Sequence, residues 1–376
     1  MHFPWCIKKC PYCDFASLKI DPATLPHARY ADAVLAELNR RRSTLGGREL
    51  VSVFFGGGTP SLWEPGELGR VLAAIVAAFD HVSPDLEITV ECNPSSLDRD
   101  RAAEFVAQGV SRLSIGVQAL DDEHLQYLGR AHDGLLAIQA VEGALTKAPR
   151  VSADLMFGMP GQTEGALERA IKRLLDLGIE HVSAYSLTIE PGTQFGELHR
   201  VGKLRVAAED DVAGMFCAAE GAFQERGLDH YEVSNYAKKG QEARHNQHYW
   251  RGGSYLGLGA AAVGCLDDGP GAALRWRNEP DPENYMSRSG TDQLETFEEH
   301  LGPQEIVREA LMLGLRTREG MNLSATASRA GVDPFGGRQT AIARRIGRGD
   351  VVHDGPWLRV PTARWLHLDG IVADLF

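Results

Sequence analysis

No stretch of this 376-residue chain reaches the length of a membrane-spanning helix. The longest uncharged run, Gly252–Leu266, is short and broken by glycine, whereas a bilayer core needs about 20 predominantly apolar residues. Positive charge is in deficit, with 39 Lys and Arg against 51 Asp and Glu and a net charge of −12. Such a chain repels phosphate backbones, so nucleic-acid binding is not expected. Cysteine is scarce at six residues, too few for the disulfide framework of a small secreted domain. The opening MHFPWCIKKC carries lysines where a secretory signal carries its apolar run. A cytoplasmic protein with reduced thiols is therefore expected. Internal repeats are lacking too, and 43% hydrophobic with 24% charged residues excludes disorder as the main state.

What is present is alternation. Strand-like runs fall at Leu50–Phe55, Leu86–Glu91, Arg112–Val117, Val151–Phe157 and His181–Thr188. Between them lie helical stripes such as Leu68, Val71, Leu72 and Ile75, or Leu167, Ile171, Leu174 and Leu175; residues 27–43 fit the same scheme. This β/α order predicts an α/β fold: a parallel sheet covered by helices, closed into a barrel or part of one. Polar and glycine residues follow the strands, at Gly56-Gly57-Gly58-Thr59, Glu91-Cys92-Asn93-Pro94, Gln118, Gly158-Met159-Pro160-Gly161 and Glu190-Pro191-Gly192. The C-terminal strand ends of a barrel form its active face, so these loops deliver polar groups to one rim. Each alone reads equally well as a tight turn.

The alternation fades after about Gly202. A helix over 207–226, a strand-like Tyr231–Tyr236 and a glycine-rich stretch close a first domain at 1–266. Residues 267–301, rich in Asp, Gly, Pro and Asn at their start, are expected to be a linker. A smaller domain follows at 302–376, with helices over 303–316, 323–330 and 338–348 and short strands at Val351–His353 and Trp357–Val360, a winged-helix-like arrangement. Arg344, Arg345 and Arg348 invite a DNA reading, but acidic residues offset them and other basic residues are few in the tail.

Three of the six cysteines lie within eight residues, Cys6, Cys10 and Cys13, spaced C-x3-C-x2-C. A short loop with this spacing points three sulfurs at one centre. Structural zinc needs four ligands; no fourth cysteine follows nearby, and His2 would be an unusual partner. A 4Fe-4S cubane held by three thiolates leaves one iron open. That iron can chelate the amino and carboxylate groups of S-adenosylmethionine, and a low-potential cluster can cleave the sulfonium to a 5′-deoxyadenosyl radical. Cys92, Cys217 and Cys265 read as small apolar residues.

The segments MHFPWCIKKCPYCDF, FFGGGTPSLW, ECNPSS, RLSIGVQALDDEHLQYLGR, DLMFGMPGQT and HVSAYSLTIEPGTQF resemble the radical S-adenosylmethionine superfamily. Within it they resemble the branch of oxygen-independent coproporphyrinogen III dehydrogenases and their relatives, the HemW haem chaperones. The similarity runs along the whole chain. The dehydrogenases carry a fourth cysteine two positions after the third; here that position is Phe15, as in the chaperones. HNQHYW, His245–Trp250, resembles the HNxxYW segment associated with haem handling. Family members carry several residues before the HIPWC-like segment, including an aromatic that helps seat the adenosyl ligand. This chain begins immediately before it, so the first barrel strand is expected to be almost absent.

The resemblance implies the remaining roles. Gly57, Gly58 and Thr59 would approach the adenosyl ligand, with exposed carbonyls accepting its ammonium; a βα turn needing positive φ would explain the same glycines. Glu91 would approach S-adenosylmethionine, or be a solvated loop carboxylate. Gln118, Arg130 and Asp154 match positions that hold a second adenosyl ligand, and read equally as a polar network with Arg130 and Asp154 paired. Tyr12 would pack beside the cluster. His245 is the candidate haem ligand, since neutral imidazole binds iron, although a histidine beside aromatics is also an ordinary core residue. The partners implied are haem as cargo, a haem-acceptor protein and a low-potential donor such as flavodoxin or ferredoxin; a homodimer is compatible with the family. The two functions implied are haem transfer and, as the alternative, radical-based oxidative decarboxylation of coproporphyrinogen III.

Overall fold

A computed structural model describes residues 1–376. Its main sheet contains six parallel strands: β1 His2–Phe3, β2 Glu49–Gly57, β3 His81–Cys92, β4 Arg112–Gln118, β5 Arg150–Phe157 and β6 His181–Ser186. A hairpin of β7 Asp229–Glu232 and β8 Asn235–Ala237 completes the order β1-β2-β3-β4-β5-β6-β8-β7, with β8 antiparallel to β6. The single run expected at Tyr231–Tyr236 is thus two strands, broken at Val233–Ser234.

Outer helices are α1 His27–Arg41, α2 Pro65–Ala78, α3 Arg99–Ala107, α4 Gly134–Leu145, α5 Glu164–Asp176 and α6 Glu209–Glu225. Several are started by side-chain caps: Asp98, Asp133 and Thr163 each accept the amide of a first-turn residue. The pleat then divides each strand. On β5, Val151, Ala153 and Leu155 enter the core with Leu167, Ile171 and Leu174 of α5, while Ser152, Asp154 and Met156 take the opposite face. On β4, Leu113, Ile115 and Val117 face the helices, and Arg112, Ser114 and Gly116 face inward. The expected partial barrel is present, with an apolar outside under helices and a polar inside.

The first strand is as short as expected, pairing only with Gly56 and Gly57. Its segment is nevertheless fixed. His2 N–H donates to Leu258 (2.8 Å), and the Tyr30 hydroxyl donates to the His2 carbonyl (2.6 Å). Phe3 and Trp5 pack edge-on (5.3 Å), and Trp5 meets Tyr30 at 4.8 Å.

Residues 267–301 are not an unstructured linker. Strands β9 Val263–Asp267, β10 Ala273–Asn278 and β11 Glu295–Leu301 form an antiparallel sheet, with a helix Pro282–Arg288 between the last two. The Asp, Gly and Pro that read as a linker are its turns: Gly269 and Gly271 adopt φ +88° and +77°. Arg41 of α1 ties this sheet to the barrel, stacking over Trp276 (4.3 Å) and pairing with Glu295 (2.7 Å).

In the tail, helices Pro303–Gly314, Leu323–Ala330 and Gln339–Gly347 pack with a three-stranded antiparallel sheet of Met321–Asn322, Trp357–Arg359 and Val352–Asp354 around a second core. Its basic helix is internally neutralised, since Arg344 and Arg345 both pair with Asp374 (2.5 and 2.9 Å). Cys92 and Cys265 are buried as small apolar residues, but Cys217 is exposed on α6, contrary to expectation. Cys217 shares the outward face of α6 with Asp210, Gly221 and Gln224, whereas Met215, Ala219 and Phe223 are buried. No helix is long and apolar enough to cross a membrane.

Candidate cluster and nucleotide site

The C-terminal ends of β2–β6 open into a cavity of about 600 Å³. Cys6, Cys10 and Cys13 line it, and so do Tyr12, Gly57, Gly58, Thr59, Glu91, Gln118, Arg130 and Asp154. All the residues proposed for cluster and nucleotide therefore meet at one mouth, although they are spread over almost 150 positions of sequence.

The cysteine loop is clasped at its base. Trp5–Cys6 pairs in parallel with Leu18–Lys19, and Ile20 N–H donates to the Cys6 carbonyl (3.0 Å). At its tip, Phe195 N–H donates to the Pro11 carbonyl (2.8 Å). The Pro11 ring sits so close to Gly129 that a Cβ there would lie 2.6 Å from it. The glycine loop holds the other side. Gly58 N–H donates to Phe3 (2.7 Å) and Thr59 N–H to Trp5 (2.8 Å). A Cβ on Gly58 would stand 2.5 Å from the Trp5 carbonyl oxygen, and Gly57 has φ +109°. These glycines serve both as the turn and as a close-approach surface, but what they approach most closely is the incoming cysteine segment.

Two sulfurs receive hydrogen bonds. The Thr59 hydroxyl donates to Cys6 (3.3 Å), and Arg130 Nη1 donates to Cys10 (3.7 Å). Burial pushes the Cys6 and Cys13 thiols up, so a metal must displace their protons to bind. No three His, Cys, Asp or Glu side chains converge on a single-ion cage; a cage of that kind gathers thiolates to about 4 Å of one another. A cubane takes its thiolates at separate corners. Three thiols on one loop, donors to two of them, and an Arg130 Nε buried without a partner together form a donor set that fits it.

The inner wall is carboxylic. Glu91 accepts the Gly57 N–H (3.1 Å); burial, reinforced by the nearby Asp154, pushes its carboxyl up to about 8. Asp154 accepts from the Ser114 hydroxyl (3.2 Å), and burial raises it to about 6. Glu91 is thus not the solvated loop carboxylate of the plainer reading. The Arg130–Asp154 pair is not formed either: Arg130 holds Cys10 and, through Nη2, the Gly116 carbonyl (2.9 Å). Gln118 has φ +65° at a bulge between β4 and β5, a strained conformation of the kind that concentrates at ligand sites. Sequence reasoning missed Ser114, Gly116 and Tyr185, which also line the cavity. The period-2 pleat was the available signal, since Ser114 and Gly116 share a face with each other, as do Ser183 and Tyr185.

His245 lies elsewhere. It sits on α7 Arg244–Trp250 and lines a second, mainly apolar cavity of about 620 Å³ between β2 and residues 254–266. Gly57 borders both cavities. His245 Nδ1 is 3.0 Å from the Ser52 hydroxyl, its ring stacks on Phe54 (4.5 Å), and Tyr249 meets it edge-on (4.9 Å). Nε2 has no hydrogen-bond partner and is not sealed off. Burial drives this imidazole down to about 3. His248 is committed to the Ser254 carbonyl (2.7 Å).

Comparison with known proteins finds two family models and a set of relatives. The model of the radical SAM superfamily matches residues 1–183, and that of the HemN C-terminal domain matches residues 301–365. The mitochondrial radical S-adenosyl methionine domain-containing protein 1 of Bos taurus is 38% identical over 330 residues, 85% of this chain and 73% of that protein. The heme chaperone HemW of Escherichia coli is 36% identical over 287 residues, 76% and 74% of the two chains. HemW of Bacillus subtilis is 32% identical over 335 residues, 88% and 86%. Among solved structures, the coproporphyrinogen III oxidase HemN of E. coli has a TM-score of 0.81, covering 100% of this chain and 88% of its own at 19% identity, which shows a shared fold.

Proposed function

The chain belongs to the radical S-adenosylmethionine superfamily, in its HemW-like branch, and from that premise we propose that it is a haem chaperone, binding haem and passing it to an acceptor protein. The observation that carries this reading is its relatedness to heme chaperones along most of its length. Cys6, Cys10 and Cys13 would hold a 4Fe-4S cluster, with S-adenosylmethionine on its open iron. When bound, this pair supplies one-electron cleavage of the sulfonium.

The protein's own residues set the conditions. Thr59 and Arg130 donate to the sulfurs that would become ligands, which favours the reduced, more negative cluster. Tyr12 shields the loop against Phe195, its ring 6.4 Å away. Gly57, Gly58 and Thr59 shape the wall beside the ligand. Glu91, Gln118, Arg130 and Asp154 would orient nucleotide groups, with Glu91 protonated at neutral pH and so able to donate as well as accept.

For haem, His245 offers Nε2 while Ser52 fixes Nδ1. Because its pKa is so low, the ring stays neutral and available as a metal donor throughout the physiological range. Phe54 and Tyr249 present aromatic surface beside it. We also propose a cytoplasmic location for the chain.

The alternative is porphyrinogen decarboxylation. Phe15 stands at the cavity mouth, at the position where the dehydrogenases carry a fourth cysteine. Anaerobically reconstituted protein should bind haem and leave coproporphyrinogen III unchanged. Formation of protoporphyrinogen with S-adenosylmethionine and a reductant would replace the chaperone reading with the enzymatic one.

A further inference from the structure

The cluster mouth is flanked by a surface that no intramolecular packing accounts for. Phe15 is 54% exposed and Leu18 49%, both on the cysteine loop. Beside Phe15 and Ala16, across a shallow depression, lie Val263 and Arg277. Val263, Arg277 and Phe297 are register partners on β9, β10 and β11, so they form one row on one face. Val263 is 39% exposed and Phe297 50%. The other end of this face is covered: Cys265, Ala273 and Leu301 are buried in the second core. Only the end nearest the cysteine loop is left bare.

Charge gives the bare end its character. The first twenty residues carry three lysines and one aspartate, in a chain of net charge −12. Lys8, Lys19 and Arg277 are exposed. Arg275, two residues from Arg277 on the same strand, is paired with Glu299 and Glu309, but Arg277 has no carboxylate partner. Lys19 is the register partner of Cys6, so an exposed cationic residue stands on the strand that flanks the cysteine loop. An apolar centre with an unpaired cationic rim is the complement of an acidic protein. Its small extent suits the brief encounters of electron-transfer partners.

We propose that Phe15, Leu18, Val263 and Phe297, ringed by Lys8, Lys19 and Arg277, form the docking surface for an acidic one-electron carrier protein that reduces the cluster. The proposal rests on the cluster assignment made above. In the step, one electron leaves the carrier's reduced centre and enters the oxidised cluster; no atom is transferred.

The test uses the full reconstituted chain and follows bleaching of cluster absorbance. Reduced flavodoxin serves as the acidic carrier and dithionite as the small-molecule control. A Lys19→Glu/Arg277→Glu variant should be reduced by flavodoxin at least tenfold more slowly at low salt, and at the wild-type rate by dithionite. Wild-type reduction by flavodoxin should slow as salt is raised. Phe297→Ala, which removes only exposed apolar surface, should slow the flavodoxin reaction severalfold. Equal flavodoxin rates in wild type and the charge-reversed variant would overturn the proposal, as would equal slowing with dithionite. A charge reversal that altered only the oligomeric mass would assign this face to a second copy of the chain instead. Absence of any dithionite-bleachable chromophore in wild type would sink the cluster assignment itself, and the proposal with it.

Discussion

Arg130 reaches Cys10 with one guanidinium nitrogen (3.7 Å) and the Gly116 carbonyl with the other (2.9 Å). Arg130, from the loop beyond the helix Asp122–Tyr127, thereby binds the cysteine loop to the end of β4, and Thr59 ties the same loop to the end of β2 by donating to Cys6. Both contacts are placed to stabilise negative charge on sulfur, and would do so more strongly on the reduced form of the proposed cluster.

Removing one of them should therefore make the cluster harder to reduce. Thr59→Val keeps the shape and deletes the donor. One hydrogen bond of about 1 kcal/mol corresponds to about 40 mV for a one-electron couple. A redox titration followed by electron paramagnetic resonance should show the variant's potential more negative by about that amount. A potential at or above the wild-type value would mean that the hydroxyl does not act on the sulfur.

The glycine clasp predicts a structural cost. At Gly58 the atoms a Cβ would strike are the backbone of Trp5 and Phe3, at 2.5 to 2.9 Å, and backbone cannot swing away like a flexible side chain. Gly58→Ala should destabilise the protein by about 1–3 kcal/mol in denaturant unfolding and lower its iron content on reconstitution. Unchanged stability and full iron loading would show that the cysteine segment is not held there.

Much of this arrangement was legible in the sequence. The strand runs, the cysteine spacing and the GGGT turn each depend on local pattern, the family resemblance added Tyr12, Glu91, Gln118, Arg130 and Asp154, and all eleven candidate residues line one cavity. Pairing was not legible. Arg130 and Asp154 are the two opposite charges in that set most readily matched, yet one faces a cysteine and the other a serine, because Asp154 follows the pleat of β5 while Arg130 enters from the loop beyond the helix Asp122–Tyr127. Residues 267–301 read as a linker because their turn residues dominate the composition, while the strand β10 between them carries its pattern on Trp276 and two arginines. Cys217 was misplaced because an Ala-rich helix has little moment to say which face is buried.

Glu91 predicts a pH effect on the cofactor-free protein. Its folded pKa, about 8, lies above the ordinary carboxylate value. Between roughly pH 5 and pH 8 the unfolded chain has released this proton while the folded chain retains it, so this group's contribution to stability is lost as the pH rises. Glu91→Gln has no proton to lose. The stability difference between Glu91→Gln and wild type should grow in the variant's favour by about 1 kcal/mol per pH unit from pH 6.5 to 7.5. A difference independent of pH would place the Glu91 pKa in the usual range.

His245 predicts the opposite of a pH switch. An imidazole held down to about 3 does not gain a proton at pH 5, so haem affinity should be flat from pH 8 to pH 5 in a spectroscopic titration. His245→Ala should weaken haem binding at least tenfold at every pH. A midpoint near 6.5 would indicate an exposed histidine as the ligand, and an unchanged affinity in the variant would remove His245 from the site.

The most direct test of the account is iron, acid-labile sulfide and zinc analysis of anaerobically purified protein. Three thiolates around a four-iron cube predict about four irons and four sulfides per chain, lost together when Cys6, Cys10 and Cys13 are replaced by Ala. Stoichiometric zinc without sulfide, or a cluster that survives the triple replacement, would contradict it.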